Sequence, residues 1–172
     1  INGLLPVLNK CITKMGKRAM NDVILNPSSN KTIIQTQYNE IDHTMKKEYV
    51  YDKELKMIKD IDKILMKFKL NKITPCDIYQ LYETSMVINT IYTSIKSDKK
   101  TIKIFELSDF VKKHEKFVSY IQTCLNVSVC QHMNSTSFET SEDDCCKIIQ
   151  CGYHGELDNL VEEQKKTKDK LE

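Results

Sequence analysis

Five cysteines and two histidines fall between residues 124 and 154: Cys124, Cys130, His132, Cys145, Cys146, Cys151 and His154. These are zinc-ligand types, and a structural zinc needs four of them at tetrahedral geometry. No Cys-x2-Cys pair occurs, Cys145 and Cys146 are adjacent, and the spacing to Cys151-x2-His154 is irregular. We read ordinary thiols here, and no metal site is assigned. Phosphate chemistry would need a Gly-rich loop ending in Lys-Ser/Thr, whereas Met15-Gly16-Lys17-Arg18 carries one glycine inside a helical pattern. The carboxylate pairs Asp60/Asp62, Asp143/Asp144 and Glu162/Glu163 lie in charged runs that read as solvated surface. No catalytic, cofactor-binding or metal residue is therefore assigned, and the segment is not expected to be an enzyme.

The elements that would position any site are helical. Only four glycines and three prolines interrupt 172 residues, of which 40% are hydrophobic. That composition predicts an all-α fold, an irregular bundle of about six helices with a final projecting helix. The formal net charge is +2, so counterion release gives little stand-alone affinity for nucleic acid. Seven cysteines is an odd number and fits reduced thiols better than a disulfide framework. No apolar run reaches the roughly 20 residues that a membrane span requires, so a soluble, intracellular protein with no membrane partner is expected. Arg18 is the single arginine among 26 basic residues, a bias that suggests AT-rich coding. The chain opens on Ile1 and ends in a charged run, which reads as a segment of a longer protein.

Local signals set the helix boundaries. Residues 1–10 form a short apolar segment with Pro6 in an early turn. Thr13 is placed to cap a helix with Met15, Ala19 and Val23 on one face, ending at Asn26-Pro27. A third helix is predicted from near Ser29 to about residue 46, carrying Ile33, Ile34, Ile41 and Met45. Another is predicted over 53–68 from the spacing of Met57, Ile61, Ile64, Leu65 and Phe68. Thr74-Pro75-Cys76-Asp77 is a capping-box start for a long helix with Ile78, Leu81, Tyr82, Ser85, Ile88, Tyr92 and Ile95 on one stripe, broken at 97–100. A further helix carries Leu107 to Ile121. On it, His114 reads as a hydrogen-bonded core residue, while Tyr79, Tyr82 and Tyr92 read as packing residues. Residues 126–144 read as a polar surface loop and 145–155 as an irregular lead into the last helix. In that helix Leu157, Leu160 and Val161 are apolar, but eight of the final eleven residues are charged.

Three stretches resemble the helical core domain of the MutS family. "LLPVLNKCITKMGKRAMNDVILNP" (4–27) is similar to the family's Thr-x-Met-Gly-x-Arg pattern followed by a helix ending at Pro, through Thr13, Met15, Gly16, Arg18 and Pro27. "DIDKILMKFKLNKITPCDI" (60–78) is similar to an Asp-Leu-Glu-Arg helix and a Pro-x-Asp-Leu start, through Asp60, Leu65, Pro75 and Asp77. "GYHGELD" (152–158) resembles the opening of the family's lever helix, through Gly152, Glu156, Leu157 and Asp158. The departures are Lys63 and Gln37 where the family often has arginine, and a flexible Gly155 before Glu156. Lysine lacks the bidentate fork and glutamine the charge, so ion pairs there are expected to be weak or absent.

The resemblance implies a core domain at 1–155 and the first lever helix at 156–172, leading to a clamp domain outside this chain. It further implies a parent mismatch-repair ATPase, dimeric, with ATP and Mg bound and mismatched DNA contacted outside this segment. The composition suits the MutS lineage of large DNA viruses. Nucleus, mitochondrion and viral replication site are not separated by the sequence. The competing reading is a self-standing helical interaction module, stapled by zinc at the 124–154 cluster.

Overall fold

The computed structural model describes residues 3–47, 49–105, 107–133 and 148–170. These are all-α, apart from one isolated antiparallel bridge between Leu125 and Ile149. The helices are α1 (Leu4–Leu8), α2 (Lys14–Leu25), α3 (Lys31–Met45), α4 (Asp52–Met57), α5 (Ile61–Lys69), α6 (Pro75–Ile95), α7 (Lys99–Ile104), α8 (Phe110–Cys124), α9 (Val127–His132) and α10 (Gly155–Lys168).

Helix α6 is the axis of the bundle, since α4, α5, α8 and α9 all pack on it. Its start follows from residue chemistry. The Thr74 hydroxyl accepts from the Asp77 N–H at 3.2 Å, the Asp77 carboxylate accepts from the Thr74 N–H at 3.1 Å, and Pro75 occupies the first turn. Because several helices surround α6, its buried residues do not follow the stripe expected from the sequence. Asp77, Thr84, Val87 and Ile95 are buried, while Ile78, Leu81, Tyr82, Ser85, Ile88 and Tyr92 are half-covered. Thr84 is 0% exposed, and its hydroxyl accepts from the Lys59 N–H at 3.2 Å.

That contact accompanies a correction. The single helix expected over 53–68 is two, α4 and α5, interrupted at Ile58-Lys59-Asp60. Asp60 caps α5 through the Lys63 N–H at 3.3 Å, and a capping residue is non-helical by nature. Apolar periodicity carries across such a break unchanged, so the spacing alone did not reveal it. Asn71, at φ +54°, then ends α5. The Lys72 and Asn71 N–H groups bond back to the Lys67 and Phe68 carbonyls, which satisfies the open end of the helix.

A second correction concerns 126–144, read as a loop. Residues Val127–His132 form α9, which packs on α6 and buries Cys130 and Met133. Its Val-Ser-Val-Cys core is too short to show a helical period, and tertiary burial stabilises it. The remainder, 134–147, including Cys145, Cys146, Asp143 and Asp144, lies outside the described residues.

α3 starts near Ser29 as expected, with Asn30 as its cap, accepting from the Thr32 and Ile33 N–H groups. A smaller difference follows the same logic. The break at 97–100 also starts α7, because Asp98 accepts from the N–H groups of Lys100 and Thr101. Among the described residues the bundle therefore has more and shorter helices than the roughly six expected.

The capping box gives a graded test by urea denaturation. Thr74→Ala is expected to lower stability by about 0.5–2 kcal/mol. Thr167→Ala, whose exposed hydroxyl only returns to the Glu163 carbonyl within α10, should change it by less than about 0.5 kcal/mol. A neutral Thr74→Ala beside a strongly destabilising Thr167→Ala would overturn the assignment of the α6 start.

Candidate functional site

Three junctions join the elements, and the residues singled out from the sequence fall on two of them. At the first, Arg18 on α2 makes a bidentate pair with Asp60, at 2.8 and 2.7 Å, and reaches Asp62 at 2.6 Å. The Arg18 hydrogen bond is the main reason the Asp60 carboxyl is held down at about 2. The planar fork of arginine matches a carboxylate in a way that lysine cannot, so the single arginine of the chain ties the N-terminal helices to the cap of α5. Thr13 caps α2 through the Gly16 N–H at 3.0 Å. A Cβ at Gly16 would sit 2.9 Å from the Thr13 hydroxyl and displace the cap. Met15 is half-buried, and Pro27 lies exposed just past the α2 C-terminus.

The same region continues to the α6 start, where the Lys67 ammonium reaches the Asp77 carboxylate at 2.6 Å. Burial pushes the Asp77 carboxyl up, but Lys67 and Thr74 together more than offset it, so it stays below the usual carboxylate range. Leu65 is exposed on α5, whereas its neighbour Ile64 is in the core. Lys63, a departure from the family pattern, is exposed and makes no ion pair among the described residues. Gln37 is likewise exposed, on α3.

The second junction, missed from the sequence, centres on Asp98. Its carboxylate receives the Thr101 hydroxyl at 2.9 Å and the Tyr49 phenol at 3.3 Å, with His43 Nε2 and the Lys47 ammonium both at 3.2 Å. Burial raises the Asp98 carboxyl, but the Thr101 hydroxyl and N–H and the Lys47 ammonium outweigh it and hold the group well below its ordinary range. Asp98 was legible only as a helix breaker, because its partners lie 49–55 residues away or on an adjacent turn.

The third junction attaches α10. Gly152 adopts φ +87°, a conformation that favours glycine. Its N–H donates to the Asp158 carboxylate at 3.0 Å, which closes a turn immediately before the helix. The Cys124 thiol, reinforced by Tyr120, pushes the Tyr153 phenol up to about 12. The backbone bonds Asn126 N–H to Ile148 and Gln150 N–H to Cys124 add a short antiparallel pairing beside it. Leu157 and Val161 are half-buried, but Leu160 is 62% exposed. Of the three apolar residues of this helix, therefore, only Leu157 and Val161, which are four residues apart and share a face, are partly covered. Glu156 is exposed, and Gly155 begins the helix after a His154 cap.

Of the cysteine and histidine cluster, Cys124 and Cys130 are buried on α8 and α9, whereas Cys151 and His154 are exposed before α10. Burial pushes the Cys130 thiol up. Among the described residues no group of three or more His, Cys, Asp or Glu could hold a metal ion. His114 is buried in the core, hydrogen-bonded from Nδ1 to the Ser85 hydroxyl at 2.7 Å and stacked on Phe110. Tyr92 packs on Phe110 at 5.4 Å between ring centres, and the Tyr82 hydroxyl receives Gln122 at 3.1 Å. Tyr79 is half-covered on the same helix.

A family model described as MutS domain III matches residues 2–169. The chain belongs to the MutS family. It is 26% identical over 159 residues, 90% of its length, to the DNA mismatch repair protein MutS of Petrotoga mobilis, covering 18% of that protein. To a mutS homolog of Acanthamoeba polyphaga mimivirus it is 27% identical over 94% of its length, covering 14% of the relative. The MutS of Flavobacterium psychrophilum is 23% identical over 91% of the chain, which covers 17% of it. The chain thus spans less than a fifth of these MutS relatives. No solved structure matches it. Membership of the family favours a MutS core segment over a self-standing zinc-stapled module. Among the described residues no helix is long and apolar enough to cross a membrane.

Proposed function

We propose that the chain is the core domain of a MutS-like mismatch-repair ATPase, with residues 1–155 as its body and 156–172 as the first stretch of a lever helix leading to a DNA clamp. In this reading ATP and Mg are bound, and mismatched DNA is contacted, by parts of a dimeric protein other than this chain. The protein acts inside the cell, in solution, wherever that DNA is.

The observation that supports it is the attachment of α10. The segment leading into the helix pairs with the end of α8 through two backbone bonds, the turn at Gly152 closes on Asp158, and Leu157 and Val161 are half-buried, while no residue of α10 is buried and its later turns are polar. A helix rises about 1.5 Å per residue, so the 14 residues of α10 reach about 21 Å. A stiff rod held at one end carries a displacement of its base to its tip, which is the task of a lever.

The test is made in the full-length protein that carries this segment. Leu157→Asp with Val161→Asp should leave ATP hydrolysis and binding of mismatched duplex in place, but uncouple release of that duplex from ATP. Stopped-flow anisotropy on a labelled mismatched duplex reads the coupling. ATP-triggered release at the unmodified rate would overturn the lever role while leaving family membership untouched.

A further inference from the structure

A pocket of about 430 Å³ lies between the start of α2, the α4–α5 break and the first turns of α6. Lys14, Lys56, Lys59, Lys63 and Lys67 line it, together with Asp60 and Asp77. Five lysines against two aspartates leave three positive charges at the pocket, more than the formal net charge of +2 carried by the whole chain. The lining of this concavity is therefore locally basic.

The two carboxylates do not neutralise it. Asp60 is held by the bidentate fork of Arg18, and Asp77 is held by Lys67 and by the Thr74 hydroxyl and N–H. Among the described residues Lys14, Lys56, Lys59 and Lys63 make no ion pair, and Lys14 acts on Asp60 only as a more distant charge. Four exposed lysines without an ion-pair partner among the described residues thus line one polar hollow. Like charges in a concavity repel one another and focus the field on whatever anion enters.

We propose that this pocket binds a compact oligophosphate anion through the ammonium groups of Lys14, Lys56, Lys59 and Lys63. Lysine is a point-charge phosphate binder with rotatable donors, and several lysines together can follow a short chain of phosphates without a fixed fork. A singly charged anion would leave most of the excess uncompensated, so the fit is to an anion of three or more charges. The volume admits a few phosphate groups and excludes a nucleic-acid duplex. The phosphates belong either to a free oligophosphate or to a stretch of single-stranded nucleic-acid backbone.

The probe is inorganic tripolyphosphate, titrated into the 172-residue chain by calorimetry at low ionic strength. Saturable one-site binding that weakens with added salt is expected. Lys59→Gln with Lys63→Gln should weaken it about tenfold, since two charge-assisted hydrogen bonds are lost. Lys103→Gln with Lys112→Gln removes the same charge outside the pocket, on α7 and α8, and should change it less than about twofold. Far-UV circular dichroism of both pairs, whose side chains are exposed, confirms that the fold is kept. A single-stranded oligonucleotide that displaces tripolyphosphate identifies nucleic-acid backbone as the natural source; one that does not identifies a free oligophosphate. Absence of saturable binding, or equal loss in both lysine pairs, overturns the site.

Discussion

Ile64→Ala is expected to lower stability by about 2–5 kcal/mol, the range for removing a large aliphatic side chain from a core that relaxes only partly. Ile64 is 4% exposed on α5, which packs on α6, and it also borders the lysine-lined pocket. The contrast is with Leu65, the next residue and the one that carries the family pattern. It is exposed, so Leu65→Ala should cost less than about 1 kcal/mol. Urea midpoints at unchanged slope give both values. Equal losses would mean that α5 presents a different face to α6.

Asp77→Ala is expected to cost about 2 kcal/mol or more, because it removes one half of the capping box and leaves the Thr74 N–H and the Lys67 ammonium without their acceptor. Asp77 is 5% exposed, so water does not readily replace it. The pH dependence has a definite sign. The folded carboxyl titrates below its ordinary value, so its contribution is complete above the unfolded carboxylate pKa of about 3.9 and is lost as pH falls below it. The stability gap between the natural protein and Asp77→Ala should therefore be widest near neutrality and narrow in acid. Asp77→Asn keeps a side-chain acceptor for the Thr74 N–H but not the charge, and should fall between the two. A gap independent of pH would show that Asp77 acts through packing alone.

The contrast between these neighbours shows how far residue patterns reach. Ile64 and Leu65 have equal standing in a helical repeat, and only the position of α6 decides which of them is buried. Asp77, by comparison, was identified by its spacing from Thr74 and by the Pro75 between them, because a capping box closes within four residues. Lys67 was not foreseen as its partner. That ion pair spans the turn at Asn71, whose left-handed backbone returns the chain toward α6.

The sequence by itself determined the all-α class, the starts of α2 and α6 at Thr13 and Thr74, the end of α2 before Pro27 and the resemblance to the MutS family. Each of these rests on interactions within one or two helical turns, or on the order of short motifs along the chain. Tertiary structure alone decided that Arg18 meets Asp60 across 42 residues, that Asp98 gathers His43, Lys47, Tyr49 and Thr101, and that Leu160 lies off the face shared by Leu157 and Val161. It also broke the 53–68 helix at Asp60, folded 127–132 into α9 and drew five lysines around one hollow. The physical reason is the same throughout. A cap or a helical stripe is specified by nearest neighbours, whereas the partner of a charge, the buried face of a helix and the walls of a pocket exist only once distant segments have packed together.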